Sequence, residues 1–283
     1  MSIRPPRQAG QFYSDSALLL KKQIDGCFLH HLGPGKLPET TEKLLTDLVT
    51  LVSPHAGYIF SGPVAAHGFS LAAASGRPDF LVILGPNHTG IGSGISIVTK
   101  GAWKTPLGDI KVNSELAQLI QSSSQLIDVD ESAHKFEHSI EVQLPFLQYI
   151  YGSQFSFVPI CMMLQDLTSS RDVGRAIAKA CEGRNVLIIA STDLTHYQPQ
   201  SVAETKDKVI IDAITQLDET ILQKAVESNN ISMCGYGPVS AAIVASKMLG
   251  ASDGTCLSYN TSGDVTGDYD QVVGYCSLAL TRR

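Results

Sequence analysis

The sequence predicts an α/β fold, a single domain spanning residues 1–283 built as a three-layer sandwich, its mostly parallel central sheet covered by helices on both faces. Three observations predict it. Apolar runs rich in Val, Ile and Leu recur at Leu48–Val52, Phe80–Leu84 and Val186–Ala190, the pattern of strands buried on both sides. Helical patterns alternate with them, as parallel crossovers require. No internal repeat, low-complexity run or long linker divides the chain.

Taken in order, Arg4 to Tyr13 reads as an extended arm, because Pro5-Pro6 cannot lie in a helix interior. Ser14 or Asp15 caps a helix through Phe28, with Leu18, Leu19, Ile24 and Phe28 facing inward. The Gly33-Pro34-Gly35 loop and a polar stretch lead to the first core strand at Leu48. Ser61 to Ala74 is small and apolar enough for a helix packed closely on a sheet. Gly94 to Thr99 alternates as a strand, and a turn follows at Lys104–Asp109. Asn113 caps a short helix. Glu141 to Tyr151 is a second, opened by Ser139 as cap, with Val142, Pro145, Phe146 and Tyr149 inward. A strand at Phe155–Met162 and a helix at Ser169–Cys181 precede the strand at Val186. Helices at Val202–Thr215, Glu219–Val226 and Pro238–Leu249 follow, then strands at Thr255–Tyr259 and Val272–Leu280.

Composition narrows the function. Hydrophobic residues make up 43% and charged residues 17%, ordinary for a globular core. The net charge of −6 disfavours nonspecific attraction to nucleic acid or to an anionic membrane. No signal-peptide pattern opens the sequence and no run of about 18 apolar residues exists, so a cytoplasmic protein is expected. Six cysteines are scattered without a Cys-x-x-Cys pair, which fits mostly reduced, buried thiols.

The chemistry gathers where the strands end. Pro54-His55, Gly85-Pro86-Asn87-His88 and Ser191-Thr192-Asp193-Leu194-Thr195-His196 each follow a core strand directly. Ligands of open α/β sheets collect at that edge, and imidazole there serves as metal ligand or proton shuttle. Asp193 could orient His196 as an acid or base. A serine-hydrolase triad is weakened by the lack of a Gly-x-Ser-x-Gly elbow. His134-Lys135-Phe136-Glu137-His138 fits the inverted zinc-protease pattern if it lies on a helix, yet Ser132 and Ser139 look like caps. Glu141 either complements a helix dipole or faces the site. Cys234 stands in an exposed turn before the helix from Pro238, where a helix N-terminus favours thiolate. Two His and one Cys would form an open three-ligand site suited to copper, iron or zinc. His30, His31 and His67 have no such setting.

Five segments in this order and spacing, Pro54–Tyr58, Gly85–His88, Glu137–Glu141, Ser191–His196 and Cys234–Pro238, closely resemble the Memo family. The likeness runs from Arg4-Pro5 to the last strand. The continuation Glu141-Val142-Gln143-Leu144-Pro145-Phe146-Leu147 resembles archaeal or bacterial members rather than animal ones. The resemblance implies a fold like that of class III extradiol dioxygenases, non-haem iron enzymes with two metal histidines and a glutamate. It implies that His55 and His88 hold a metal, that Cys234 takes the carboxylate's place, and that His196 and His138 act as acid/base with Asp193 beside His196. Thiolate is softer than carboxylate, favours copper and is itself oxidisable. The resemblance further implies a radical-SAM protein and an AMMECR-type protein as partners. Two functions are therefore expected to compete: a metal-dependent redox, dioxygenase-like protein holding iron or copper, and a non-enzymatic module that binds a metal, small molecule or peptide in the same crevice.

Overall fold

The computed structural model describes residues 2–283. Its elements run β1 (Ile3–Arg4), α1 (Ala17–Leu29), β2 (Leu48–Ser53), α2 (Tyr58–Ser75), β3 (Phe80–Pro86), β4 (Ile95–Ile97), β5 (Ala102–Thr105) and β6 (Gly108–Val112). Then come α3 (Ser114–Ser123), β7 (Asp128–Val129), a 3-10 turn at Glu141–Gln143, α4 (Leu144–Tyr151), β8 (Ser156–Met162), α5 (Leu167–Ala180), β9 (Val186–Ser191) and β10 (His196–Gln198). The chain finishes with α6 (Gln200–Thr215), α7 (Glu219–Ser228), α8 (Tyr236–Met248), β11 (Asp253–Thr261), α9 (Gly263–Thr266) and β12 (Val272–Thr281).

The main path of the sheet is β1-β5-β6-β8-β3-β9-β2-β12-β10, with β6, β8, β3, β9 and β2 parallel. The three strands read as core strands from their apolar runs, β2, β3 and β9, are immediate neighbours in it. Every residue of β2 and β9 is buried, because helices cover both faces. On one side β-strand residues such as Val52, Val82 and Ile188 pack with α3, α5, α6, α7 and α8. On the other, Leu51, Ile83 and Ile189 pack with α1, α2 and α4. Truncating one of these side chains, Ile188→Ala for instance, would cost about 2–5 kcal/mol in lost transfer energy and cavity. The close packing expected of the small-residue helix holds: a Cβ on Gly68 of α2 would touch Leu51 and Ser277.

Several sequence expectations need correction. In α1 the buried stripe is Leu20, Ile24, Cys27 and Phe28, while Leu18 and Leu19 are 65% and 55% exposed. Spacing of four then three or four residues defines the inner face, and Leu20 alone of the three leucines is in phase with Ile24. The helix starts at Ala17 with Ser16 as cap position, two residues later than Ser14. Ser139 does not cap: its hydroxyl donates to the Pro86 carbonyl at 3.0 Å, and Glu141 begins a 3-10 turn. Residues 131–140 are turn and bend rather than helix, so His134 and His138 do not share a helix face. The arm was expected to be extended only. Its Ile3 and Arg4 pair in parallel with Ala102 and Trp103 of β5. Among the described residues no helix is long and apolar enough to cross a membrane.

Candidate metal centre

Because β3, β9 and β2 are adjacent and parallel, their carboxyl ends open on one edge, and the residues that follow them meet there. Cys234 joins from the turn before α8, a helix that lies across the same strands. Gly235 allows this approach, since a Cβ there would collide with the Ser191 carbonyl and the Thr192 side chain. One ligand atom each from His55, His88 and Cys234 lies within 4.8 Å of the others.

Hydrogen bonds fix which ring nitrogen each histidine presents. The Ser191 hydroxyl donates its one proton to the Ser139 carbonyl at 2.7 Å and accepts from Gln143 Nε2 at 2.8 Å. Its contact with His55 Nδ1 at 2.8 Å therefore has the imidazole as donor, which leaves the Nε2 lone pair facing Cys234 Sγ at 3.3 Å. The same accounting removes the serine-hydrolase reading, because Ser191 is fully buried and its proton is directed away from the histidine. His88 Nδ1 donates to Glu137 Oε1 at 2.9 Å, so its Nε2 is likewise the free nitrogen. Ligating histidines in metalloproteins are held this way, by a partner on the far nitrogen.

His138 packs against both: its ring stacks on His88 with centroids 4.4 Å apart and meets His55 edge-on at 5.2 Å. Burial, with the His88 charge beside it, lowers the His138 imidazole to about 4 against the pull of Glu137, so it is neutral at pH 7. Burial lowers His55 well below its usual range, reinforced by His138 and His88. Asp193 is raised by burial, against the opposing pull of the His55 backbone N–H and of the His196 and His88 charges.

Two assignments shift. Asp193 does not orient His196. Its Oδ1 accepts the His55 backbone N–H at 2.8 Å, tying the loop after β9 to the loop after β2, and His196 Nδ1 is held by the Ser232 carbonyl at 2.9 Å. His196 stands at the rim, partly exposed, close enough for its charge to act on both Asp193 and His55. The Cys234 thiol was expected to be low in pKa. Burial and the Asp193 charge raise it instead, outweighing the stabilising Asp193 backbone N–H, which reaches Sγ at 3.2 Å.

Glu137, given no role of its own in the sequence reading, is the organiser of this edge. Its carboxylate accepts from His88 N, His88 Nδ1, His138 N and Ser139 N at 2.6–2.9 Å. Burial would raise the carboxyl, but the His88 bond and the charges of His88 and His138 hold it below the usual carboxylate range. His134 lies elsewhere, buried against Ser96 and the edge of Trp103, which removes the zinc-protease reading. Glu141 stands in the first turn of the 3-10 segment that leads into α4, and the arm takes up its carboxylate. It accepts from Arg4 Nη1 at 2.5 Å, from the Arg7 and Gln8 backbone N–H groups, and from the Tyr13 hydroxyl at 2.7 Å. This clamp holds the arm over the strand ends, where Phe12 packs on His138 at 5.1 Å.

The chain has clear relatives among known proteins. A family profile described as Memo-like protein matches residues 4–279. A MEMO1 family protein of Methanopyrus kandleri is 53% identical over 281 residues, covering 99% of both chains. Counterparts from Methanothermobacter thermautotrophicus (98% of this chain and 100% of theirs) and Thermotoga neapolitana (99% and 100%) are 48% and 47% identical. Among solved structures, an uncharacterized Escherichia coli K12 protein superposes with a TM-score of 0.55 at 14% identity, over 82% of this chain and 99% of that one, a likeness of fold alone. With a profile and relatives matching almost end to end, the chain belongs to the Memo family.

Proposed function

We propose that the crevice binds one iron or copper ion through His55 Nε2, His88 Nε2 and Cys234 Sγ, and that the protein is a metal-dependent redox protein acting on a small molecule or peptide seated there. One observation carries the reading. Three donor atoms from separate segments converge, each histidine lone pair free because its other nitrogen donates to Ser191 or Glu137. Cys234 Sγ and the His55 lone pair face each other at 3.3 Å, and a cation bound between them would displace the thiol proton. Glu137 is less suited as a ligand, because three N–H groups crowd its Oε1 and the His88 backbone N–H takes Oε2.

A bound iron or copper would supply one-electron chemistry at an open coordination position. The residues around it supply the rest. His138, neutral at pH 7, and His196 at the rim, whose Nε2 is free, hold and move protons at the mouth of the crevice. Phe12 and the clamped arm shield one side from water.

The deciding experiment is metal content and affinity of protein purified without oxygen, wild type beside Cys234→Ser. Stoichiometric iron or copper lost in the variant is the expected result. No metal in either protein, even after reconstitution, would overturn it and favour a module that binds its ligand without metal.

A further inference from the structure

A second thiol pair lies outside the crevice. Cys256 on β11 and Cys276 on β12 sit on neighbouring antiparallel strands, in a register that opposes Cys256 to Leu278 and Tyr259 to Cys276. The register slips between Cys256 and Ser258, and such a bulge bends a strand and re-aims its side chains. Here Cys256 Sγ comes within 3.6 Å of Cys276 Sγ. The two differ in access: Cys256 is exposed, whereas Cys276 is 1% exposed. A disulfide is about 2.05 Å long, so bonding asks the two sulfurs to close by roughly 1.5 Å.

We propose that Cys256 and Cys276 form a reversible intramolecular disulfide in response to hydroperoxides, with Cys256 reacting first and Cys276 resolving it. The hydrogen bond from the Cys276 thiol lowers Cys256 to about 7, while burial keeps Cys276 protonated. An exposed thiol titrating near ambient pH combines thiolate population with nucleophilicity. Its sulfur attacks the peroxide O–O bond: an S–O bond forms, the O–O bond breaks, and water or an alcohol leaves. The peroxide gains two electrons and Cys256 becomes a sulfenic acid. Cys276 sulfur then displaces the hydroxyl group, forming the S–S bond, and its thiol proton departs with the hydroxide as water. A dithiol reduces the bridge by exchange, returning both cysteines to thiols and itself becoming a disulfide.

The position gives the bridge a consequence. Cys276 is two residues from Gly274, whose N–H donates to the Thr195 carbonyl at 2.9 Å and whose carbonyl accepts from Leu194 at 2.8 Å. Crosslinking β11 to β12 therefore braces the strand to which the Asp193–His196 loop is hydrogen-bonded. None of this depends on a metal in the crevice.

The test treats the whole protein with one equivalent of hydrogen peroxide, blocks remaining thiols and maps peptides without reductant. A linked Cys256–Cys276 peptide is expected, restored to two thiols by dithiothreitol. In Cys276→Ser, dimedone should trap a lasting sulfenic acid at Cys256. A wild-type protein that keeps its near-ultraviolet circular dichroism but shows Cys256 reduced, or oxidised without the link, overturns the proposal.

Discussion

Two overlapping donor groups share His88. One is His55, His88 and Cys234; the other is His88, Glu137 and His138. By ligand type the second resembles a two-histidine, one-carboxylate iron site more closely. The first is favoured because the carboxylate of the second is already satisfied. Glu137 accepts from both the backbone and ring of His88, whereas Cys234 Sγ keeps a lone-pair partner in His55 Nε2 that a cation can share. On the proposed reading, what separates a ligand from a supporting residue is hydrogen-bond vacancy rather than residue type.

The largest effect should come from Cys234. Cys234→Ser should lower iron or copper affinity by more than the roughly 100-fold that loss of an outer partner costs. Competition with a chelator under anaerobic conditions measures it. Glu137→Gln should cost about 10–100-fold, because a supporting carboxylate orients His88 without touching the ion. A loss from Glu137→Gln equal to that from Cys234→Ser would reverse the ranking of the two groups.

The smallest effect is a change in pH dependence of the metal-free protein. Burial lowers both His134 and His138 to about 4. Their folded values lie below the unfolded value near 6.5, so the unfolded chain binds more protons between about 6.5 and 4. The stability from keeping them neutral is complete above that window and is lost as pH falls through it. Each contributes at most about 1.4 kcal/mol per pH unit. His134→Gln should remove one such contribution from the slope of unfolding free energy between pH 6.5 and 5, read from urea midpoints. The His138 contribution should remain. An unchanged slope would mean that His134 is solvated in the folded state.

The convergence of the candidate site was largely legible in the sequence wherever a residue follows an apolar strand or opens a helix. His55, His88, Asp193 and Cys234 all do, and all converge. The partners of Glu137 and Glu141 were not legible. Glu141 binds Arg4 across 137 positions, a relation that no local spacing encodes. The two-residue β1 and three-residue β10 are too short to show a period, so the arm's pairing and the strand at His196 went unread. In α1, consecutive leucines at 18, 19 and 20 blurred the phase that Leu20, Ile24 and Phe28 define. The main strands β2, β3, β8 and β9 are placed to within two residues, and for β2, β3 and β9 the apolar run stops at Ser53, Gly85 and Ser191.

The contact between His55 and Cys234 spans 179 positions of chain. A chain synthesised only through α7 holds both histidines but not the thiol, and the strand β12 that pairs with β2 is still to come. The crevice thus completes late, after the most distant segments dock, and contacts of such separation are slow to form. On the proposed reading, uptake of a metal by this trio would therefore report completion of the fold rather than any early stage.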